Sequence, residues 1–96
     1  MDVVHHPRVA WEGARTFVNA ADGNVYWWLS DMLGRSLGTT HQTRLSETRL
    51  RLQREEAWPA ETAAWRVRLE DMLRARPDLA PVVLQLVADT SRRLSP

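Results

Sequence analysis

The sequence predicts an all-α fold, a small bundle of four to five helices in one domain over residues 1–96. Apolar residues recur at three- and four-residue intervals in successive segments, which is the period of an amphipathic helix. Turn and boundary signals built from Gly, Pro and Asp separate these segments. The composition, 44% hydrophobic and 26% charged over 96 residues, is typical of a single globular domain.

The first two helices are predicted on either side of a turn at Asp22-Gly23-Asn24. An irregular lead-in over 1–7 ends at a proline, and a helix follows over 8–21. A hairpin joining 16–18 to 25–28 is the alternative, and it ranks second because the next segment has a clear helical period. One apolar face of that second helix carries Val25, Trp28, Leu29, Met32 and Leu33.

The third and fourth helices are predicted over 43–57 and from Trp58 onward. Gly38 ends the second helix, and 38–42 forms a loop. Opposite charges four residues apart support the third helix, and Pro59 suits the first turn of the fourth. A core-facing stripe on the fourth helix comprises Trp58, Trp65, Leu69, Met72 and Leu73, and its solvent side comprises Arg66, Arg68, Glu70, Asp71 and Arg74.

The last helix follows a connector at Pro77-Asp78. Asp78 is a candidate N-cap, and Pro81 is tolerated because it falls in the first turn. The short connection predicts that the fourth and fifth helices form an antiparallel pair. The apolar face of this helix comprises Leu79, Val82, Val83, Leu86 and Val87.

Charge and composition exclude several classes of protein. The net charge is +1, and all 13 basic residues are arginine, so the strong field used in non-specific nucleic-acid binding is absent. Lysine and isoleucine are missing, which indicates a GC-rich bacterial genome. The longest charge-free run is the ten residues 79–88, whereas a membrane span needs roughly 20 apolar residues. With no secretory leader and no cysteine, we expect a cytoplasmic protein without membrane contact.

No arrangement of residues predicts catalysis or metal binding. Adjacent His5 and His6 point in different directions on a helix or strand, and His41 stands alone, so no zinc-ligand spacing exists. Ser30, Ser36 and Ser46 lie in predicted helices or loops without a nearby histidine, and no nucleophile motif is present. We therefore expect no enzyme, no cofactor and no metal.

Five tryptophans in 96 residues are the main compositional anomaly. Trp28, Trp58 and Trp65 lie on apolar stripes and are predicted to pack in the core. Trp27 is turned by about 100° from Trp28, toward small and polar residues. Tryptophan is enriched at binding hot spots, so Trp27 indicates either a partner interface or coverage by another helix of the same domain.

The densest basic cluster comprises Arg44, Arg49, Arg51 and Arg54. Arg44 and Arg51 share a helix face, with Arg54 beside them. Interleaved glutamates cancel most of the charge, so a solvated face is favoured over a nucleic-acid contact.

Two stretches carry a resemblance to known proteins. One is the tryptophan–arginine helix AWRVRLEDML at 64–73, followed by RPDLAPVVLQLV at 76–87; the other is YWWL at 26–29, followed by LGR at 33–35. The pattern resembles small helical domains in uncharacterised proteins of GC-rich bacteria, some of which accompany signalling or conflict systems as adaptor-like modules. The resemblance covers 25–87 and implies an interaction module, and no catalytic residues carry over.

The sequence therefore predicts a non-enzymatic helical interaction module that binds itself, as a homo-oligomer, or docks onto another protein. A nucleic-acid-binding domain using the 44–54 arginine face is the alternative. The residues predicted to make contact are Trp27, Trp11, Arg44, Arg51 and Arg54.

Overall fold

The computed structural model describes residues 6–95, and over this range it confirms an all-α bundle with no strand. None of its helices is both long and apolar enough to cross a membrane. The predicted hairpin alternative is wrong because 16–18 and 26–28 are helical. The helices are α1 (His6–Ala21), α2 (Tyr26–Ser36), α3 (Thr39–Arg54), α4 (Trp58–Ala75) and α5 (Ala80–Leu94).

Helix α1 lies at the centre of the bundle and contacts each of the other four helices. Gly13 allows this close packing, since a Cβ placed there would lie 2.8 Å from Leu69 Cδ1 on α4 and 3.3 Å from Val83 Cγ1 on α5. Further along, the ring of Phe17 meets the ring of Trp65 edge-on at 5.9 Å. The buried side of α1 comprises Val9, Ala10, Gly13, Ala14, Phe17, Val18, Ala20 and Ala21.

Helices α4 and α5 run in opposite directions, as the short connector predicts. The order of contacts along α1, Gly13 with Leu69 and then Phe17 with Trp65, makes α4 antiparallel to α1. Thr16 and Ser91 line one groove beyond the Gly13–Val83 contact, so α5 is parallel to α1. The pair is joined mainly through α1.

The predicted loop at 38–42 is wrong, because α3 begins at Thr39. Gly38 alone makes the turn, with a positive φ of 102° that favours glycine. Gln42 packs against Gly34, where a Cβ would lie 2.9 Å from the amide oxygen. This tertiary contact offsets the weak helix propensity of the threonines. At its other end α3 stops at Arg54 rather than at 57, because Glu55 is extended.

Two other boundary predictions are corrected. Helix α1 begins at His6, with Pro7 in its first turn, where proline is favoured; residues 1–5 of the predicted lead-in lie outside the described range. Asp78 is not an N-cap, because a 3-10 turn over Pro77–Leu79 precedes α5. Its carboxylate accepts hydrogen bonds of 3.0 and 2.8 Å from Arg76 instead.

Trp58 departs from the predicted core stripe of α4. Trp65, Leu69 and Leu73 are fully buried and Met72 is partly buried, whereas Trp58 is 43% exposed. Trp58 is the first residue of α4 and lies at the end of the bundle, where it lines a groove between α1 and α5 rather than the core.

Candidate interaction surface

The most exposed tryptophan lies at the start of α2. Trp27 is 70% exposed, so no helix within 6–95 covers it. Its ring meets the buried Tyr26 ring edge-on, with centroids 4.9 Å apart. The face predicted to bind a partner is therefore open, and the predicted alternative, coverage by another helix of this domain, does not occur within the described residues.

Arg49 of α3 contacts both the end of α1 and the start of α2. Its Nη1 donates hydrogen bonds to the carbonyl oxygens of Ala21 (3.0 Å) and Gly23 (3.2 Å) at the end of α1. A cation there interacts favourably with the negative end of the helix dipole. The guanidinium carbon also lies 4.6 Å from the ring centroid of Tyr26 and 5.8 Å from that of Trp27. We call Gly23, Tyr26, Trp27 and Arg49 the Trp27 surface.

Trp11 belongs to a different part of the molecule. It lies on the exposed strip of α1, is 43% exposed, and has the Arg15 guanidinium 6.0 Å from its ring. Arg15 also lines a groove of about 680 Å³ at the end of the bundle. The aromatic contacts of Trp11 and Trp27 are thus separate. The groove is lined by Arg15, Thr16, Asn19, Trp58, Ser91, Leu94 and Ser95.

The predicted arginine face is divided by the fold. Arg49 points toward α1 and α2, as described above. Arg44 and Arg51 lie on the side of α3 that faces α4, as their seven-residue spacing predicts, and Arg54 is exposed. Arg44 pairs with Glu47 at 3.2 Å, and Arg51 donates to both carboxylate oxygens of Glu61 at 3.2 Å. The four arginines therefore form no single basic surface.

A buried polar network that the sequence patterns do not predict joins α3 to α4. Thr48 donates to Glu61 Oε1 at 2.7 Å and accepts a hydrogen bond from Trp65 Nε1 at 2.8 Å. All three side chains are buried. A signal existed, since Glu61 precedes Trp65 by four residues and shares its helix face. The network fixes the position of Arg51 and the rotation of α3.

A second unforeseen feature is a pocket between the start of α3 and the last turns of α4. It has a volume of about 260 Å³ and is lined by Thr40, His41, Arg44, Arg68, Asp71 and Met72. We call it the His41 pocket. Arg68, assigned to the solvent side of α4, is only partly exposed there, and its guanidinium carbon lies 5.7 Å from the Trp65 ring.

The environment of His41 favours its neutral form. Burial lowers the pKa of His41 below its ordinary value of 6.5, the Leu37 carbonyl partly opposes this, and the positive charges of Arg68 and Arg44 lower it further. The pKa of Arg68 is also lowered, by burial and then by Arg44, but an arginine remains protonated in proteins.

Comparisons with protein-family models, with curated proteins and with solved structures found no match to this chain. Within residues 6–95, no group of three His, Asp or Glu side chains is placed to hold a metal ion.

Proposed function

We propose that the chain is a helical interaction module that binds a second protein through the Trp27 surface. The observation that carries the proposal is a tryptophan that is 70% exposed yet held by its neighbours. Arg49 is anchored to two backbone carbonyls and lies near both aromatic rings. A side chain that is already ordered loses little conformational entropy when a partner covers it.

The chemistry of the surface matches that of protein interfaces. Tryptophan and arginine are among the residues most enriched at hot spots, and here Arg49 lies beside the exposed Trp27 ring, with the buried Tyr26 ring beneath it. The guanidinium plane and the indole ring offer apolar area as well as hydrogen-bond donors to a partner. The net charge of +1 adds little repulsion between two copies, so self-association is not opposed and a second copy of the chain is the first partner to test.

The test is the molar mass in solution, measured by light scattering after size exclusion over a range of protein concentrations at low and high salt. We expect a dimer or larger species at both salt concentrations, because the contact is mainly apolar. Trp27→Ala should weaken the association by about 30-fold or more, the effect of losing a hot-spot residue. The substitution should leave the fold intact, since most of the side chain is exposed.

Two control variants distinguish a specific effect of Trp27 on association from the general effect of removing exposed apolar area. Val67→Ala removes an exposed apolar side chain on α4, far along the chain from α2, and should leave the association unchanged. Trp11→Ala tests the second tryptophan predicted to make contact, which has its own surroundings on α1. Association that survives Trp27→Ala contradicts the proposal. A monomer at all concentrations excludes the second copy, and Trp27→Ala is then compared with the original chain against candidate partner proteins.

A further inference from the structure

Arg68 carries a charge that Glu61 and Glu47 stabilise only from a distance, whereas burial and the charge of Arg44 act against it. Its Nη1 atom is buried and donates no hydrogen bond to any residue of 6–95. None of the ion pairs within 6–95 includes it. Nearly all buried polar atoms in proteins have a hydrogen-bond partner, and removing part of a charged group from water without one costs free energy. An oxyanion bound in the pocket that Arg68 lines would compensate the positive charge of its guanidinium.

The buried nitrogen belongs to a side chain of the His41 pocket, which gathers further donors. Arg44 and the imidazole of His41 line the same cavity. Thr40 and His41 are in the first turn of α3, where no side chain caps the helix and no acidic residue is present. The unpaired backbone N–H groups of such a turn and the helix dipole both favour an anion.

The carboxylates near the pocket are engaged elsewhere. Asp71, which lines the pocket, lies 3.1 Å from Arg74. Glu61 is occupied by Thr48 and Arg51. Glu47 pairs with Arg44 at 3.2 Å on the exposed surface, and such pairs are weak enough for Arg44 to turn toward a stronger anion.

We propose that the His41 pocket binds a phosphate group, as free phosphate or as a small phosphate monoester. Two guanidinium groups match the geometry of phosphate oxygens better than any other pair of side chains. The cavity volume of about 260 Å³ accommodates a phosphate group and a small substituent, which would contact Met72. This site is separate from the Trp27 surface and is independent of the proposed function.

The experiment is an NMR titration of the isotope-labelled chain with inorganic phosphate at constant ionic strength, balanced with sodium chloride. The imidazole signals of His41 report on the pocket, and those of His6 at the start of α1 report on non-specific effects. We expect saturable shifts of the His41 signals, with a dissociation constant on the order of millimolar for so small a ligand. The pKa of His41 should rise when phosphate is bound, because a dianion stabilises the imidazolium.

Three variants locate the site. Arg68→Gln should weaken phosphate binding by about tenfold or more, since it removes a charge-assisted donor. Arg66→Gln, on the same helix but paired with Glu70 at 3.4 Å, is the matched control and should bind phosphate normally. Asp71→Asn should strengthen binding about two- to fivefold, because it removes the carboxylate that lines the pocket. If Arg68→Gln fails to fold, Arg44→Gln takes its place, since Arg44 is exposed.

Each result decides for or against the proposal. Saturable His41 shifts that disappear in Arg68→Gln and persist in Arg66→Gln support it. Shifts no larger than those of His6, or equal losses in the Arg68 and Arg66 variants, overturn it. A parallel titration with O-phosphoserine distinguishes the two forms of the ligand: tighter binding than inorganic phosphate identifies a monoester, and weaker binding identifies free phosphate.

Discussion

Helix α4 contacts α1 and α3 through different chemistry: it packs extensively along α1, whereas it is joined to α3 mainly through long side chains. Toward α1 the contact is apolar: Leu69 closes over Gly13, and the Trp65 ring meets Phe17. Toward α3 the contact is a set of directional hydrogen bonds among Thr48, Glu61 and Trp65. Trp65 takes part in both contacts, with its ring in one and its Nε1–H in the other.

The difference follows from the composition of α3. Only Leu45 and Thr48 are buried on this helix, so apolar burial alone holds it weakly. Hydrogen bonds to fixed partners set its rotation and its register against α4. Side chains of α3 take part in both proposed binding sites: Arg49 in the Trp27 surface, and His41 and Arg44 in the His41 pocket. We call the α1–α4 contact the apolar side of the bundle and the α3–α4 contact the polar side. The apolar side buries more hydrophobic area, and helix α3 of the polar side presents groups of both proposed sites.

The largest effect is expected from Leu69→Ala on the apolar side. Leu69 is fully buried and contacts the α1 backbone position of Gly13, so truncation leaves a cavity that costs about 2–5 kcal/mol of unfolding free energy. The loss of unfolding free energy is measured by urea unfolding, monitored by far-UV circular dichroism, and the m-value should not change. Val67→Ala, an exposed position two residues earlier, should change stability by less than about 0.5 kcal/mol. Equal effects of the two would mean that the α1–α4 contact is loosely packed.

The polar side is tested by Glu61→Ala, with an expected loss of about 1–3 kcal/mol. The substitution leaves the buried Thr48 hydroxyl without its acceptor and Arg51 without its ion pair. Glu12→Ala is the matched control, since its pair with Arg8 is exposed at 3.6 Å, and such pairs contribute about 0–1 kcal/mol. Glu61→Gln should lie between them, because the amide oxygen still accepts from Thr48. A Glu61→Ala loss no greater than that of Glu12→Ala would show that α3 does not depend on the network.

Gly13→Ala also tests the apolar side, and we expect it to lower the unfolding free energy by less than the two substitutions above. The new Cβ would lie 2.8 Å from Leu69 Cδ1, and the buried leucine has little room to yield. Overpacking costs about 1–3 kcal/mol, and the better helix propensity of alanine recovers up to about 1 kcal/mol. The net loss is therefore about 1 kcal/mol in the same unfolding assay. Gly23→Ala, where a Cβ meets nothing within 4 Å, serves as the control, and a stabilising Gly13→Ala would contradict the close packing.

The sequence predicts the apolar side of the bundle better than the polar side. The recurring apolar residues of α4 place Trp65, Leu69 and Leu73 correctly, because a helical period determines which residues share a face. The same period includes Trp58, which is exposed because α4 begins there. The ends of the neighbouring helices decide which residues of an apolar helix face are buried. Helical periodicity contains no information on where those helices end.

The candidate sites show the same limit. The 100° offset between Trp27 and Trp28 correctly indicates that Trp27 faces away from the core. Helical spacing does not predict that the arginines of α3 face different neighbours. Arg49 binds backbone carbonyls at the end of α1, whereas Arg51 binds Glu61 of α4. The burial of Glu61 is not predicted either, because its acceptor role depends on Thr48, 13 residues away in the chain.

The smallest effect is a pH dependence that distinguishes the two sides. The pKa of His41 is lowered by burial and by the charges of Arg68 and Arg44, so the unfolded chain binds a proton more readily than the folded one. The contribution of His41 is fully present above its ordinary pKa of 6.5 and is lost as the pH falls toward its folded pKa.

His41→Gln should therefore flatten the fall in unfolding free energy between pH 7.5 and pH 5.5, by less than any of the three effects above. The measurement is urea unfolding at both pH values in a buffer free of phosphate, because phosphate in the pocket would raise the pKa of His41 and mask the effect. Leu69→Ala should lower stability equally at both pH values, since it removes only apolar contacts. His6→Gln is the control for loss of an imidazole outside the pocket. If His41→Gln leaves the pH profile unchanged, His41 is as well solvated in the folded chain as in the unfolded one. The polar side would then be no more shielded from water at His41 than an ordinary charged surface.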